Sequence, residues 1–266
     1  MNRCALLVLL ATTGCIGNVQ RSARVPHPTV PMLSGQPMTS TAELTAGLGN
    51  VADFIKPTVG DRTQAVEIPG TEMRDELRFR IGHNGMIGVM YDEGFASTSH
   101  KPDPTQAPVG KGDVHGYGVL FGYAFHTNTP GLVISSQVEL AAWSTPYVEY
   151  DSCDSCTSVT GFHDRANPLT FGIGVTPSYR TGRVTLFGGA FARNHPTTTR
   201  KVMDTVFHDG DGDVRSGPLN LLLEAGVEVT LNDWLSALAV VHQDTIRDPV
   251  SYGPGLGLAL TAKLGR

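Results

Sequence analysis

Three aspartates, Asp209, Asp211 and Asp213, stand at alternate positions with glycine between them in HDGDGDV, and they are the best candidates for holding a metal ion in this 266-residue chain. The plainer reading of the same residues is a solvated acidic turn. A second constellation is Cys153 and Cys156 in YDSCDSCTS. One CxxC without a second pair is a weak zinc motif, and a redox role needs a helix N-terminus to lower a thiol pKa, which nothing around Cys153 supplies. Histidines recur in polar stretches at His100, His115, His163, His195 and His208, with His242 closing an apolar segment. His163-Asp164 near Ser152, Ser155 and Ser158 invites a hydrolase reading. No nucleophile elbow or ordered triad spacing accompanies them, and a histidine among loop polars is ordinary surface. The net charge of −5 leaves no basic field to hold a polyanion, which argues against a nucleic-acid partner.

The first fifteen residues carry Arg3, then the apolar run 5–11, then Thr12-Thr13-Gly14-Cys15. This layout resembles a bacterial lipoprotein signal, in which a small residue precedes a cysteine that is lipidated and becomes the new N-terminus. The family usually has Leu three residues before the cysteine, where this chain has Thr12. The resemblance implies a signal over residues 1–14 and a lipid on Cys15; plain secretory cleavage or an uncleaved anchor are the alternatives. No Asp follows Cys15, which favours delivery to the outer membrane. Cys4 would leave with the signal, and in an oxidising compartment a close-spaced disulfide between Cys153 and Cys156 is the ordinary expectation. HDGDGDV resembles the start of a calcium loop, but Val214 replaces the expected Gly and Asn220 stands where a bidentate Glu should be. Calcium is the one cofactor the chain suggests.

The elements that would position such residues are of one kind. Charged residues make up 17% of the chain against about 25% in an ordinary soluble domain. No run approaches the roughly 18 apolar residues of a spanning helix, so any membrane crossing must be made by strands. Residues 15–75 read as a Pro-rich linker, with Pro26, Pro28, Pro31, Pro37, Pro57 and Pro69 among Ser, Thr and Gly. Within it Ser40-Thr41-Ala42-Glu43 reads as a capping box, and Leu44, Leu48, Val51 and Ile55 follow at helical steps, which predicts a short helix over 41–55.

From residue 76 to 266 the pattern has period 2. Eight segments can be drawn, at 77–91, 116–126, 132–143, 169–178, 184–193, 219–230, 234–243 and 255–264. Tyr117, Val119, Phe121, Tyr123 and Phe125 alternate with Gly118, Leu120, Gly122 and Ala124, and the segments at 169, 219 and 255 repeat the scheme. Connections of about 24, 5, 25, 5, 25, 3 and 11 residues alternate long with short. This pattern resembles the small outer-membrane β-barrels of Gram-negative bacteria, whose tight turns face the periplasm and whose long loops face outside. The expected fold is therefore all-β: an eight-stranded antiparallel up-and-down transmembrane β-barrel behind a flexible N-terminal linker, with both termini periplasmic. Two features fit poorly. Gly82-His83-Asn84-Gly85 interrupts the first segment as a bulge or a further hairpin, and Phe187, Phe191, Leu235 and Val241 sit against the simplest phase.

If the oily face is outside, the lumen receives Arg78, Arg80 and Lys263 against Glu139, Glu224 and Glu228, an ion network that must pair because an unpaired buried ion costs several kcal/mol. Aromatic residues near segment ends, Phe125, Tyr179 and Trp234 at one and Tyr91, Tyr117 and Trp143 at the other, suit interfacial girdles. The expected role is that of an outer-membrane lipoprotein, structural or adhesive, presenting its loops to a surface partner, with a lumen plugged by ion pairs and no catalysis. Two rivals stand beside it. A soluble periplasmic barrel lipoprotein binding a small apolar ligand requires Tyr117, Phe121, Phe171, Leu221 and Leu258 to point inward. Some eight-stranded barrels deacylate lipid with a His and a Ser near the outer rim, so the third reading is an outer-membrane lipid-modifying hydrolase.

Overall fold

The computed structural model describes residues 18–24, 31–51, 65–67, 71–95, 112–152, 161–197, 215–245 and 254–265. They form thirteen strands: β1 (Asn18–Arg24), β2 (Ala42–Val51), β3 (Ala65–Glu67), β4 (Thr71–Ile81), β5 (Gly85–Phe95), β6 (Val114–His126), β7 (Leu132–Ser152), β8 (Gly161–Ala166), β9 (Leu169–Thr181), β10 (Val184–Thr197), β11 (Arg215–Asn232), β12 (Leu235–Asp244) and β13 (Gly255–Leu264). Ten of them close a barrel in the order β2-β4-β5-β6-β7-β9-β10-β11-β12-β13, every neighbour antiparallel, with β13 returning to β2. The upper part of β7 rises past the rim, where β1 pairs with residues 147–152, β8 with residues 145–150, and β3 lies parallel to β1.

The strand number corrects the expected eight, and both extra strands have a local cause. Gly82 adopts φ 61° and opens a tight turn, so the segment at 77–91 is a hairpin whose arms, β4 and β5, pair from Thr71↔Phe95 to Ile81↔Gly85. The predicted helix over 41–55 is β2 over its residues 42–51, and residues 52–55 lie outside the described ones. Steps of four residues from Leu44 to Leu48 are even, so they keep one face of a strand as well as one face of a helix. Pairing on both sides decides the matter, with β13 along Gly255↔Val51 to Leu264↔Ala42 and with β4 along Ala42↔Phe79 to Gly49↔Glu72. Ser40 and Glu43 do bond each other, Oγ donating to Oε1 at 3.0 Å, but inside the barrel and not as a helix cap. The barrel thus begins at residue 42, and the expected linker over 15–75 supplies β1, β2, β3 and the start of β4.

Period 2 sorts the wall into two faces. Outside lie Leu44, Leu48, Val89, Phe121, Ile173, Leu186, Leu223, Leu256 and Leu260, all well exposed, while Thr45, Arg74, Glu76, Asp92, Glu139 and Thr176 are buried inside. Aromatic residues collect near both ends of the outer face: Tyr123 packs on Phe125 (ring centroids 4.9 Å apart) at the same end as Tyr179 and Trp234, and Tyr91 packs on Tyr117 (5.2 Å) at the other. Trp143 is not among them; at 1% exposure it lies in the lumen. The tight connections, after β4, β6, β9 and β11, share one end with Gly265 and Thr41, whose N–H donates to the Gly265 carbonyl at 2.7 Å. We call it the turn end, and the opposite one the loop end.

Candidate functional site: the filled lumen

Strand β4 supplies the centre of the lumen. Glu72, Arg74, Glu76 and Arg78 occupy every second position and therefore project from one face, acid and base alternating at about 7 Å along the strand. An arginine so placed can reach acids on its own strand and across the barrel. Arg74 Nε donates to Glu76 Oε1 at 2.7 Å and Nη2 to Glu139 Oε2 on β7 at 2.7 Å, while Nη1 reaches Asp92 Oδ2 on β5 at 3.4 Å. Arg193 on β10 approaches Glu139 Oε1 at 3.7 Å and lies 5.1 Å over the Trp143 ring, a cation–π contact. The Trp143 Nε1–H donates to Thr170 at 2.8 Å. Below this layer Arg78 donates to Thr45 at 2.6 Å and pairs with Glu43 at 3.2 Å, and Thr45 meets Thr261 of β13 at 2.8 Å. All the members of these ion pairs are withdrawn from water.

The opposite wall carries an apolar cluster. Phe187 and Phe191 of β10, Leu222 of β11, Leu238 and Val240 of β12, Ala259 of β13 and Met32 form one buried cluster. This accounts for the phase of Phe187 and Phe191: their rings need floors without side chains, and a Cβ at Gly172, Gly174 or Gly226 would collide with them. Leu235 and Val241, by contrast, point outward.

Ten strands enclose more space than eight, which side chains alone would just fill. Residues 31–40 take up the difference. Their Pro31, Met32, Leu33, Ser34, Gly35 and Ser40 are buried. The Met32 N–H donates to Glu76 Oε1 at 3.1 Å, Ser34 Oγ donates to Glu228, and Gln36 Nε2 donates to Ser178 Oγ at 2.9 Å. Gly35 adopts φ 75° where Ser135 and the Thr176 carbonyl press on it, so its lack of a Cβ is used twice, for conformation and for space. A cavity of about 50 Å³ remains among Met32, Ser34, Glu43, Arg78, Glu228 and Thr261, room for a few water molecules. At the turn end a vestibule of about 550 Å³ opens between Thr39, Arg180, Asp233, Trp234 and Lys263.

The six residues expected to form the ion network are thus divided. Arg78 and Glu139 carry ion pairs, with Glu43, Arg74 and Arg193 as partners rather than with each other. Glu224 accepts from Thr176 at 2.7 Å, and Gln137 donates to that same hydroxyl at 3.2 Å. Glu228 holds the inner segment through Ser34. Arg80 is exposed and reaches the Thr39 carbonyl at 3.4 Å, and Lys263 stands at the vestibule. Sequence reasoning missed Glu43, Glu72, Arg74, Glu76, Asp92 and Arg193, although the every-second-residue charges from Glu72 to Arg80 were a usable signal. Cys15, Cys153, Cys156, Asp209, Asp211 and Asp213 lie outside the described residues, as does the signal over 1–14. His163 pairs through its backbone with Val148 in the sheet above the rim. Among the described residues no group of three His, Cys, Asp or Glu could hold a metal ion, and no helix is long and apolar enough to cross a membrane.

No family model matches the chain, and no curated protein matches it. Among solved structures the chain is similar to Neisserial surface protein A (12% identity, 85% of this chain and 98% of that one, TM-score 0.37). It is similar also to the N-terminal β-barrel domain of Pseudomonas aeruginosa OprF (10%, 85% and 99%, TM-score 0.33) and to the translocator domain of the autotransporter NalP from Neisseria meningitidis (13%, 98% and 92%, TM-score 0.38).

Proposed function

We propose that this protein is an outer-membrane β-barrel with a structural or surface-interaction role, its turn end in the periplasm, its long loops offered to a partner outside, and its lumen closed to diffusion. The observation that carries this reading is the polarity of the wall. Tyr117 (63% exposed) and Leu258 (55%) cover the outside, while Glu76 and Asp92 (both 0%) sit within. In water that arrangement is inverted; in hydrocarbon it is the stable one, since closure leaves no unpaired sheet edge and gathers the buried arginines among carboxylates. The same orientation removes the support for a soluble carrier of apolar ligands, because Tyr117, Phe121, Phe171, Leu221 and Leu258 all face outward. The reading assigns the molecule no catalytic step, and it takes Cys15 as a lipid-bearing residue.

The test joins extraction with conductance. The purified protein should need detergent, migrate faster unheated than boiled on a denaturing gel, and give no steady conductance in a planar bilayer. Deletion of residues 31–40 should produce one. A wild-type protein that stays monomeric in water without detergent, or that conducts steadily, overturns the proposal.

A further inference from the structure

Asn18 and Gly265, the two ends of the described chain, lie at opposite mouths of the barrel. Gly265 is at the turn end, where its carbonyl receives the Thr41 N–H. Strand β1 is at the loop end: Asn18↔Ser152 through Ala23↔Tyr147 places it on the part of β7 that has already left the barrel, since β7 pairs with β6 up to Ser144 and with β9 up to Ala142. Between them residues 31–40 run down the lumen, Met32 bonded to Glu76 at mid-height and Ser40 beside the turn end.

The wall admits no passage through its side, because each of its ten strands is hydrogen-bonded to both neighbours. A route outside the wall and back up through the turn end is too long. Seven peptide units from Arg24 to Pro31 reach about 25 Å at full extension. The 13 residues of β9 alone, at about 3.3 Å rise and 40° tilt, make a wall roughly 33 Å tall. The chain can then join Arg24 to Pro31 only by the mouth at the loop end.

We propose that the chain before β2 is threaded through its own barrel from loop end to turn end, so that the amino-terminal strand β1 stands on the same side of the membrane as the long loops. This replaces the expectation that both termini face the periplasm. Cys15, three residues before Asn18, can lie no more than about 11 Å of chain from it. That cysteine would therefore stand on the loop side of the barrel, together with any lipid it carries. Only the naming of the compartment rests on the proposed function; the threading stands on the barrel geometry.

Three epitope insertions read the topology: one between Gly17 and Asn18, one after Pro104 between β5 and β6, and one after Arg266. Each variant is first checked for the fast-migrating folded band, then probed with antibody on intact and permeabilised cells. The tag at residue 17 should follow the tag at residue 104, both labelled on intact cells, with the C-terminal tag labelled only after permeabilisation. Threading is refuted if the tag at residue 17 follows the C-terminal tag, whichever side that proves to be. The outer-membrane orientation is refuted if the tag at residue 104 is the protected one. A second measurement does not depend on insertions. Ser34 is 4% exposed, and cysteine is close to serine in size. Ser34→Cys, in a background with Cys153 and Cys156 changed to Ser, should resist a water-soluble maleimide in the folded band and react after boiling, read at position 34 by mass spectrometry. Ready labelling of that position in the folded band would remove residues 31–40 from the lumen and the threading with them.

Discussion

Changing Arg74 to methionine probes the lumen network at its centre. The guanidinium binds Glu76 at 2.7 Å, Glu139 at 2.7 Å and Asp92 at 3.4 Å, and Nη2 also contacts the Met90 sulfur at 3.0 Å. Methionine keeps the unbranched stem and removes the charge, leaving three carboxyl groups, each at most 1% exposed, without their shared cation. Removing one partner from a buried pair costs about 3–5 kcal/mol, far above the 0–1 kcal/mol of a surface pair. At 1.4 kcal/mol per decade the folding equilibrium should fall by about two to three and a half decades. With a urea slope near 3 kcal/mol/M, the upper part of the usual range, the midpoint should move down by about 1–1.7 M. Equilibration of the purified protein in urea with detergent or vesicles, read as the fraction of fast-migrating unheated band, measures this. Arg74→Lys should fall between, because an ammonium is a point donor and cannot span Glu76, Asp92 and Glu139 at once. In the double variant R74M/E139Q the losses should fall short of additive by at least about 1 kcal/mol, the sign of direct coupling. A loss below about 1 kcal/mol for R74M, with additive behaviour in the double variant, would show that these carboxylates are not held in a dry interior, and the argument for a filled lumen would fail.

Three further outcomes follow from the same structure. Gly172→Ala should cost about 1–3 kcal/mol in the urea assay because its methyl group meets the Phe191 ring, and the cost should vanish in a Phe191→Ala background. Leu258→Arg on the outer wall, midway along β13, should cost about 2–4 kcal/mol in vesicles; a loss no greater than that of Leu258→Ala would show that this face does not meet hydrocarbon. Gly182 has φ 60° and nothing within contact of a would-be Cβ, so Gly182→Ala should cost about 1 kcal/mol from backbone strain alone, and Gly182→Asn less.

The faces of the barrel strands were legible wherever oil alternated with small or polar residues. Tyr117 to Phe125, Leu169 to Val175 and Leu256 to Leu264 all point as period 2 requires, because successive side chains of a strand must leave on opposite sides whatever they pack against. The rule failed where the lumen itself is greasy. Phe187 and Phe191 face inward over Gly226, Gly172 and Gly174, which come from other strands, and no periodicity within β10 reveals that floor. Residues 42–51 were ambiguous for a different reason, since even spacings serve helix and strand alike and only the partners β13 and β4 choose between them.

By itself, then, the sequence determined that the chain would build strands with one oily face, that tight and long connections would alternate, and that charges would collect on the inner face; these follow from backbone stereochemistry and from the cost of leaving ions unpaired. Tertiary structure decided the rest. Arg74 meets Glu139, sixty-five positions away, because closure of the wall puts β4 and β7 within reach across the lumen. Residues 31–40 have no period and no place of their own until ten strands surround them, and the side on which the chain begins is set by where that enclosed segment must enter. Pattern along a chain records which way a side chain points, whereas the number of strands in the ring, the room it leaves and what fills that room arise only once the ring has closed.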